Sequence, residues 1–273
     1  MSESIPAASR PLPAPVRGSL LAFVLDVALA FALMVVTMVA AFFVWGVARG
    51  LQLAAAQPAG AAAQAVQQQI GTLPAVVLIA MTLLSMGGTA LLLYAWRRPA
   101  SAAERAQSHA LARRSRTWAW AGAAGVATFL ASSLLTWGAR GIGLEPNPSN
   151  LELIKAGFAQ HPVFLGLFAV VLAPLYEELL FRRVLFGRLW QAGRPWLGLA
   201  LSSLVFALAH EMPGLAGNPP LTTLFLLTVY AVMGAVFAGV YRATGTLWAP
   251  IGAHVLNNAL ALAVMQLNGG LAH

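Results

Sequence analysis

Three short groups of polar residues interrupt apolar stretches in the second half of this 273-residue sequence. The first is Glu177-Glu178 followed by Arg182, the second Phe206 followed by His210, and the third His254 followed by Asn258, with Asn257 alongside. Between them, carboxylates, imidazoles and a carboxamide can supply a base for water, an acid for a leaving amine and donors for an oxyanion. Those are the requirements of amide hydrolysis. Their setting is what makes them unusual. An ionised side chain at the centre of a membrane helix costs about 2.5 to 3.5 kcal/mol on insertion scales, so adjacent glutamates in an apolar run imply a hydrated or partnered interior.

On helices, residues four apart share a face. Glu178 and Arg182 therefore pair, while Glu177, about 100° further round the helix, is left as the freer carboxylate. Pro174 just upstream removes a backbone hydrogen bond and is expected to kink that helix or to start its second part. A turn signal at Gln191-Ala192-Gly193-Arg194-Pro195 separates the first group from the second, and Glu177 and His210 are nearly equidistant from it. In an antiparallel hairpin the two then lie at one depth. The turn Thr244-Gly245-Thr246 brings the third helix back from the same side, so a glutamate, two histidines and an asparagine converge. Ala231, Ala235 and Gly239 are expected to let the intervening helix approach its neighbours closely. Taken singly, each group has a plainer reading: a histidine bonded to a carbonyl, a buried Glu–Arg strut, an asparagine tying two helices.

The elements that must hold these residues are membrane helices. Hydrophobic residues make up 59% of the chain and charged residues 9%, against about 25% charged in soluble domains. Apolar stretches near 20–48, 72–96, 117–138, 161–182, 197–212, 221–241 and 247–267 each approach the roughly 20 residues a crossing needs. The expected fold is an all-α, polytopic transmembrane bundle of about seven helices, or eight if the first run breaks in two. With seven crossings and a cytoplasmic N-terminus, thirteen of the fifteen arginines fall on the inside, as the positive-inside rule requires. The net charge of +8 is thereby explained by orientation against anionic lipid, and nucleic-acid binding is not inferred. The arginine excess suggests a GC-rich bacterial genome and hence the inner (plasma) membrane. There is no cysteine, which excludes disulfide and thiolate–metal chemistry.

Residues 1–18 read as a disordered cytoplasmic tail, 19–155 as three N-terminal transmembrane helices with a basic loop at 97–116, and 160–265 as the domain carrying the chemistry. Segment 49–71 reads as an outside loop or surface helix and 139–160 as the boundary. His109 is expected to be solvated. Asp26, the single aspartate, is expected to be an interfacial or interhelical hydrogen-bonding group.

In order and on successive helices, the motifs Glu177-Glu178…Arg182, Phe206…His210 and His254…Asn258 resemble EExxxR, FxxxH and HxxxN of the CPBP or Abi family of intramembrane proteases. That family includes the type II CAAX prenyl endopeptidases. Thr246-Leu247-Trp248-Ala249-Pro250 is similar to the family's lead-in, and the resemblance covers roughly 160–265. It implies an intramembrane endopeptidase acting on a membrane protein or peptide within the lipid bilayer. It further implies that Glu177 and His210 activate water, His254 and Asn258 stabilise the oxyanion, and Glu178 and Arg182 support the site. Family members are often described as metalloproteases, and Glu177, His210 and His254 offer three ligands for zinc with water in the fourth position. The metal-free mechanism is favoured, because no motif has established zinc-site spacing.

Other protease chemistries fit less well. His210-Glu211 opens an HExxH motif, but residue 214 is glycine. An aspartyl mechanism lacks a second aspartate, and Ser202 and Ser203 near His210 have no distinctive serine-protease partner. The competing functions are a membrane scaffold or bacteriocin-immunity protein, and a small proton-coupled transporter using the same carboxylates. The sequence carries no signal of oligomeric state.

Overall fold

The computed structural model describes residues 16–56, 73–214 and 217–269. These form nine helices and no strand: α1 (Val16–Ala56), α2 (Ala75–Arg97), α3 (Ala102–Ala112), α4 (Ser115–Gly141), α5 (Leu151–Gln160), α6 (Pro162–Gln191), α7 (Pro195–His210), α8 (Pro220–Thr244) and α9 (Trp248–Leu267). All seven expected crossings are helices. Six of them (α1, α2, α4, α6, α8 and α9) are long and apolar enough to span a membrane. The seventh, α7, has 16 residues, about 24 Å of helix against a hydrocarbon core of about 30 Å. The protein is an integral membrane protein.

The first apolar run does not break in two. It holds no proline, and α1 continues through 41 residues. Residues 49–56, read above as part of an outside loop or surface helix, are its last two turns, and 16–18 of the supposed tail are its first. Residues 1–15 and 57–72 lie outside the described residues.

The basic loop at 97–116 is also corrected, since most of it is α3. Ser101 Oγ accepts from the Glu104 N–H at 3.1 Å and Glu104 Oε2 accepts from the Ser101 N–H at 2.8 Å, a capping box that starts the helix. Glu104 in turn receives Arg183 at 3.0 and 3.1 Å, and that hydrogen bonding holds its carboxyl down at about 2. His109 on α3 is exposed as expected, its ring edge meeting Trp248 at 6.3 Å. The boundary segment 139–160 likewise contains a helix, α5.

The bundle is built around α6. Leu180, Phe181, Val184, Leu185 and Leu189 along it are at most 1% exposed. Pro174 does not end this helix. A π-helical stretch at Phe168–Leu172 precedes it, in which the Ala173 N–H reaches back to the Phe168 carbonyl. The carbonyl five residues before Pro174, that of Ala169, has no proline N–H to meet and instead accepts from Asn258 Nδ2 at 2.9 Å. At the arginine-rich end, Asp26 of α1 is buried and interhelical, as the sequence suggests. Its Oδ1 accepts from Arg97 Nε of α2 at 2.7 Å, and its Oδ2 accepts from Arg188 Nε and Nη2 of α6 at 2.8 and 2.6 Å. One carboxylate thus ties three helices together.

The stripe Ala231, Ala235, Gly239 is not where α8 approaches its neighbour most closely. A Cβ on Gly239 would have nothing within 4 Å, whereas one on Gly234 would lie 3.0 Å from Ser203 Cα of α7. Small residues occur all round α8, so the sequence leaves its contact face ambiguous. Gly125 makes the tightest approach, between α4 and α9. A Cβ there would sit 2.7 Å from the Ala253 carbonyl oxygen and 3.0 Å from Leu256 Cβ. Backbone cannot yield as a side-chain tip does, so Gly125→Ala is expected to push α9 outward and to cost about 1 to 3 kcal/mol as overpacking. Thermal unfolding of the purified variant in micelles checks this, and an unchanged midpoint would show that the helices part freely.

Candidate active site

The hairpin geometry follows from helix length. Glu177 lies 14 residues before the end of α6 and His210 lies 15 residues after the start of α7. Each is therefore about 20 Å above the connecting turn. Gly193 makes that turn with φ +78°, and Arg194 N–H caps α6 at the Leu189 carbonyl, 2.9 Å away. α6 thus runs on well past its Arg182-Arg183 pair before turning, which puts Glu177 and His210 level. His210 Nε2 lies 3.4 Å from Glu177 Oε2.

His254 arrives from α9 with its Nε2 3.8 Å from the same oxygen and its Nδ1 3.0 Å from Glu178 Oε1. Glu178 is itself paired with Arg182, Nε to Oε2 at 2.8 Å and Nη2 to Oε1 at 3.3 Å. Both members of that pair are fully buried, and the expected i, i+4 partnership forms even though 179–186 is π-helical. Glu178 therefore does more than brace α6: it orients His254. The order Arg182, Glu178, His254, Glu177 is a continuous chain of charged and polar contacts.

Partner chemistry fixes the tautomers. The Phe206 carbonyl can only accept, so His210 Nδ1, 2.9 Å away, carries its hydrogen. Glu178, ionised against Arg182, likewise takes the hydrogen of His254 Nδ1. Both Nε2 atoms then face Glu177 Oε2, a buried oxygen with no hydrogen-bond partner among the described residues. Two glutamates and one arginine leave the cluster one negative charge, which a single proton on the Glu177–imidazole group neutralises. A low-polarity surround favours that neutral count.

Aromatic rings form the walls. Phe206 and Tyr230 lie against the His210 ring at 4.1 and 4.9 Å, tilted by 35° and 32°, and Phe237 stacks on His254 at 4.7 Å. Arg182 sits over Phe206 at 4.9 Å and near Phe237 and Phe181 at 5.7 and 5.9 Å. These cation–π contacts partly replace lost water around a buried guanidinium. Phe206 is thus explained as the carbonyl, ring and cage wall that set His210 and Arg182. Tyr230 and Phe237 were not found from the sequence, because an aromatic in a membrane helix has no signature of its own.

Asn258 is one turn beyond His254. Its Nδ2 donates to the Ala169 carbonyl of α6 at 2.9 Å, and its Oδ1 accepts from Asn257 Nδ2 at 2.9 Å. One Asn258 N–H is committed to holding α9 on α6, which leaves the second. Among the described residues no three His, Asp or Glu side chains are grouped so as to hold a metal ion. Ser202 Oγ donates to the Leu199 carbonyl and Ser203 faces Gly234, so neither engages an imidazole.

Glu211, the second residue of the failed zinc motif, is a structural clasp. It is 1% exposed and accepts from the Ser149 N–H at 3.1 Å and from Asn218 Nδ2 at 3.0 Å. Ser149 Oγ also donates to the His210 carbonyl at 2.6 Å. The loop before α5 and the loop before α8 are thus fastened to the end of α7, where Pro213 and Gly214 stop the helix.

Residues 159–260 match the family described as Type II CAAX prenyl endopeptidase Rce1-like. The resemblance carried by the three motifs therefore holds over the segment that builds this cluster. Among curated proteins, the chain is 30% identical over 127 residues to YdiL of Bacillus subtilis (strain 168), whose name provisionally assigns it as a membrane peptidase. The match covers 46% of each protein. It is 31% identical over 159 residues to the membrane-embedded CAAX protease MroQ of Staphylococcus aureus (strain USA300), covering 55% of this chain and 58% of that protein. The chain thus spans about half the length of the curated relatives it matches. No solved structure matches it.

Proposed function

We propose, from the Rce1-like segment and the cluster it builds, that the chain is an intramembrane endopeptidase cleaving a membrane protein or peptide. The observation that carries this reading is the convergence of two imidazole Nε2 atoms on the single oxygen Glu177 Oε2, at 3.4 and 3.8 Å. A carboxylate with two imidazoles at hand can take, hold and return a proton.

In this mechanism Glu177 accepts a proton from water as the water oxygen bonds to the scissile carbonyl carbon, and the carbonyl electron pair moves onto oxygen. His210, held by its bond to Phe206 and faced by aromatic rings, keeps the water aligned. His254, with the cluster's single proton on its Nε2, and the second N–H of Asn258 are assigned to the oxyanion. The proton held at Glu177 and its imidazoles then passes to the leaving nitrogen as the C–N bond breaks. A new carboxyl end and a new amine end are released. Glu178 and Arg182 act through His254 and are positioning residues. Zinc is not assigned a step; Glu177, His210 and His254 are the residues that would hold the ion, and here they handle the proton. The arginine-rich end of the bundle is placed in the cytoplasm, with the N-terminus, in the inner membrane of a bacterium.

Quantitative N-terminal proteomics on membranes of cells producing wild type or Glu177→Gln at matched levels tests the reading. New protein termini present only with wild type are the expected outcome. Identical termini in both, with the cellular phenotype kept by the variant, would turn the assignment to a scaffold or immunity protein.

A further inference from the structure

A cavity of about 800 Å³ lies apart from the catalytic cluster, with none of Glu177, Glu178, His210, His254 or Asn258 in its wall. Leu172, Leu175 and Leu179 of α6, Leu83 of α2 and Ile251 of α9 line it. At one end α3 closes it with Glu104, Arg105 and His109. The body is apolar and the end is charged. The rim residues Leu91 and Trp248 are 61% and 40% exposed, so the opening belongs to the apolar outer surface that a bilayer covers.

The charged end carries an excess of cations. Glu104 is already taken by Arg183. Arg105 donates to the Ala100 carbonyl and Arg98 Nη2 to the Gly187 carbonyl, and no carboxylate among the described residues pairs with either guanidinium. Arg98 stands behind the wall at Gly187 and does not line the cavity itself; its Nε is buried without a partner. Burial, with Arg188 and Arg183 close by, lowers the Arg98 guanidinium to about 10, so it stays charged at neutral pH. Arg105 and His109 on successive turns of α3, with Arg113 just past its end, also line a shallow depression.

We infer that this cavity binds an anionic phospholipid, with an acyl chain between α2, α6 and α9 and the phosphate at Arg105. An acyl chain fills an apolar wall without leaving polar groups unpaired, as an extended peptide backbone there would. Arginine recognises phosphate by charge and by paired donors, and a basic helix at the membrane surface favours anionic headgroups. The inference does not depend on the proteolytic reading.

The test uses the full chain in neutral detergent, with thermal unfolding followed as phosphatidylglycerol, phosphatidylcholine of the same chains, or inorganic phosphate is added. Phosphatidylglycerol is expected to raise the midpoint by about 5 °C at saturation, and the other two to leave it in place. Arg105→Glu, at an exposed position, should unfold like wild type without lipid but lose the shift, and Arg105→Lys should keep most of it. Leu172→Trp, which fills the apolar body without changing charge, should lose it as well. An equal shift with phosphatidylcholine, or a full shift in Arg105→Glu, overturns the assignment. Reproduction of the shift by phosphate alone would make this a free-anion site, and retention by Leu172→Trp would confine the lipid to the outside of α3.

Discussion

Replacing Glu177 with glutamine is expected to lower kcat/KM for a cleaved substrate by about 10²- to 10⁴-fold, the range a positioned general base supplies. Substrate binding and folding should be retained. Glutamine has the same shape, and its amide can donate to whichever Nε2 faces it, so the buried cluster keeps its contacts while losing the group that takes the proton. The loss should fall on kcat with KM little changed, because the missing interaction is made in the transition state. The measurement is steady-state cleavage of a substrate identified by its new terminus, with the unfolding midpoint of the variant determined in parallel. Activity within about threefold of wild type in a folded variant would be incompatible with Glu177 as the base, since that is far below the contribution of such a group.

The second large effect is on stability. Arg182→Leu removes one member of an ion pair whose two side chains are both fully buried, leaving Glu178 with His254 as its remaining partner and a leucine where the guanidinium lay over Phe181, Phe206 and Phe237. Breaking a buried pair from one side costs about 3 to 5 kcal/mol, because a charge is stranded. The double replacement Glu178→Leu with Arg182→Leu should recover much of this, since an apolar pair suits an aromatic cage. It should nevertheless remain slow in cleavage, because His254 loses the carboxylate that aims its Nε2. Reversible unfolding of the two single variants and the double variant, set beside their cleavage rates, separates these roles. Were Arg182→Leu to cost less than about 1 kcal/mol, the pair would behave like an exposed surface bridge, contrary to its burial.

Much of the arrangement was legible before any coordinates. Membrane helices reveal themselves by length and hydropathy, and five of the seven apolar stretches match the helices found closely, whereas α1 runs to Ala56 and α6 to Gln191, well beyond the expected ends at 48 and 182. Helical spacing gave the Glu178–Arg182 pair, and the position of the 191–195 turn gave the level meeting of Glu177 and His210. Those are consequences of a fixed rise and rotation per residue. The arginines around α3 made a helix look like a loop, although Ser101 and Glu104 spelled its capping box. The small residues of α8 suggested a contact face at Gly239, whereas the contact is at Gly234.

By itself, then, the sequence determined the membrane bundle, the helices that carry each polar group, and which of those groups could meet. Local periodicity and burial preference reach that far because they act along one helix at a time. Tertiary structure alone decided that Glu178 orients His254, that both imidazoles address one oxygen of Glu177, that Asn258 spends a donor on Ala169, and that Asp26 binds Arg97 and Arg188. Each depends on how one helix is rotated and set against another. That rotation is fixed by close contacts such as Gly125 on Ala253, where a few tenths of an ångström at one backbone atom govern a side chain on the facing helix.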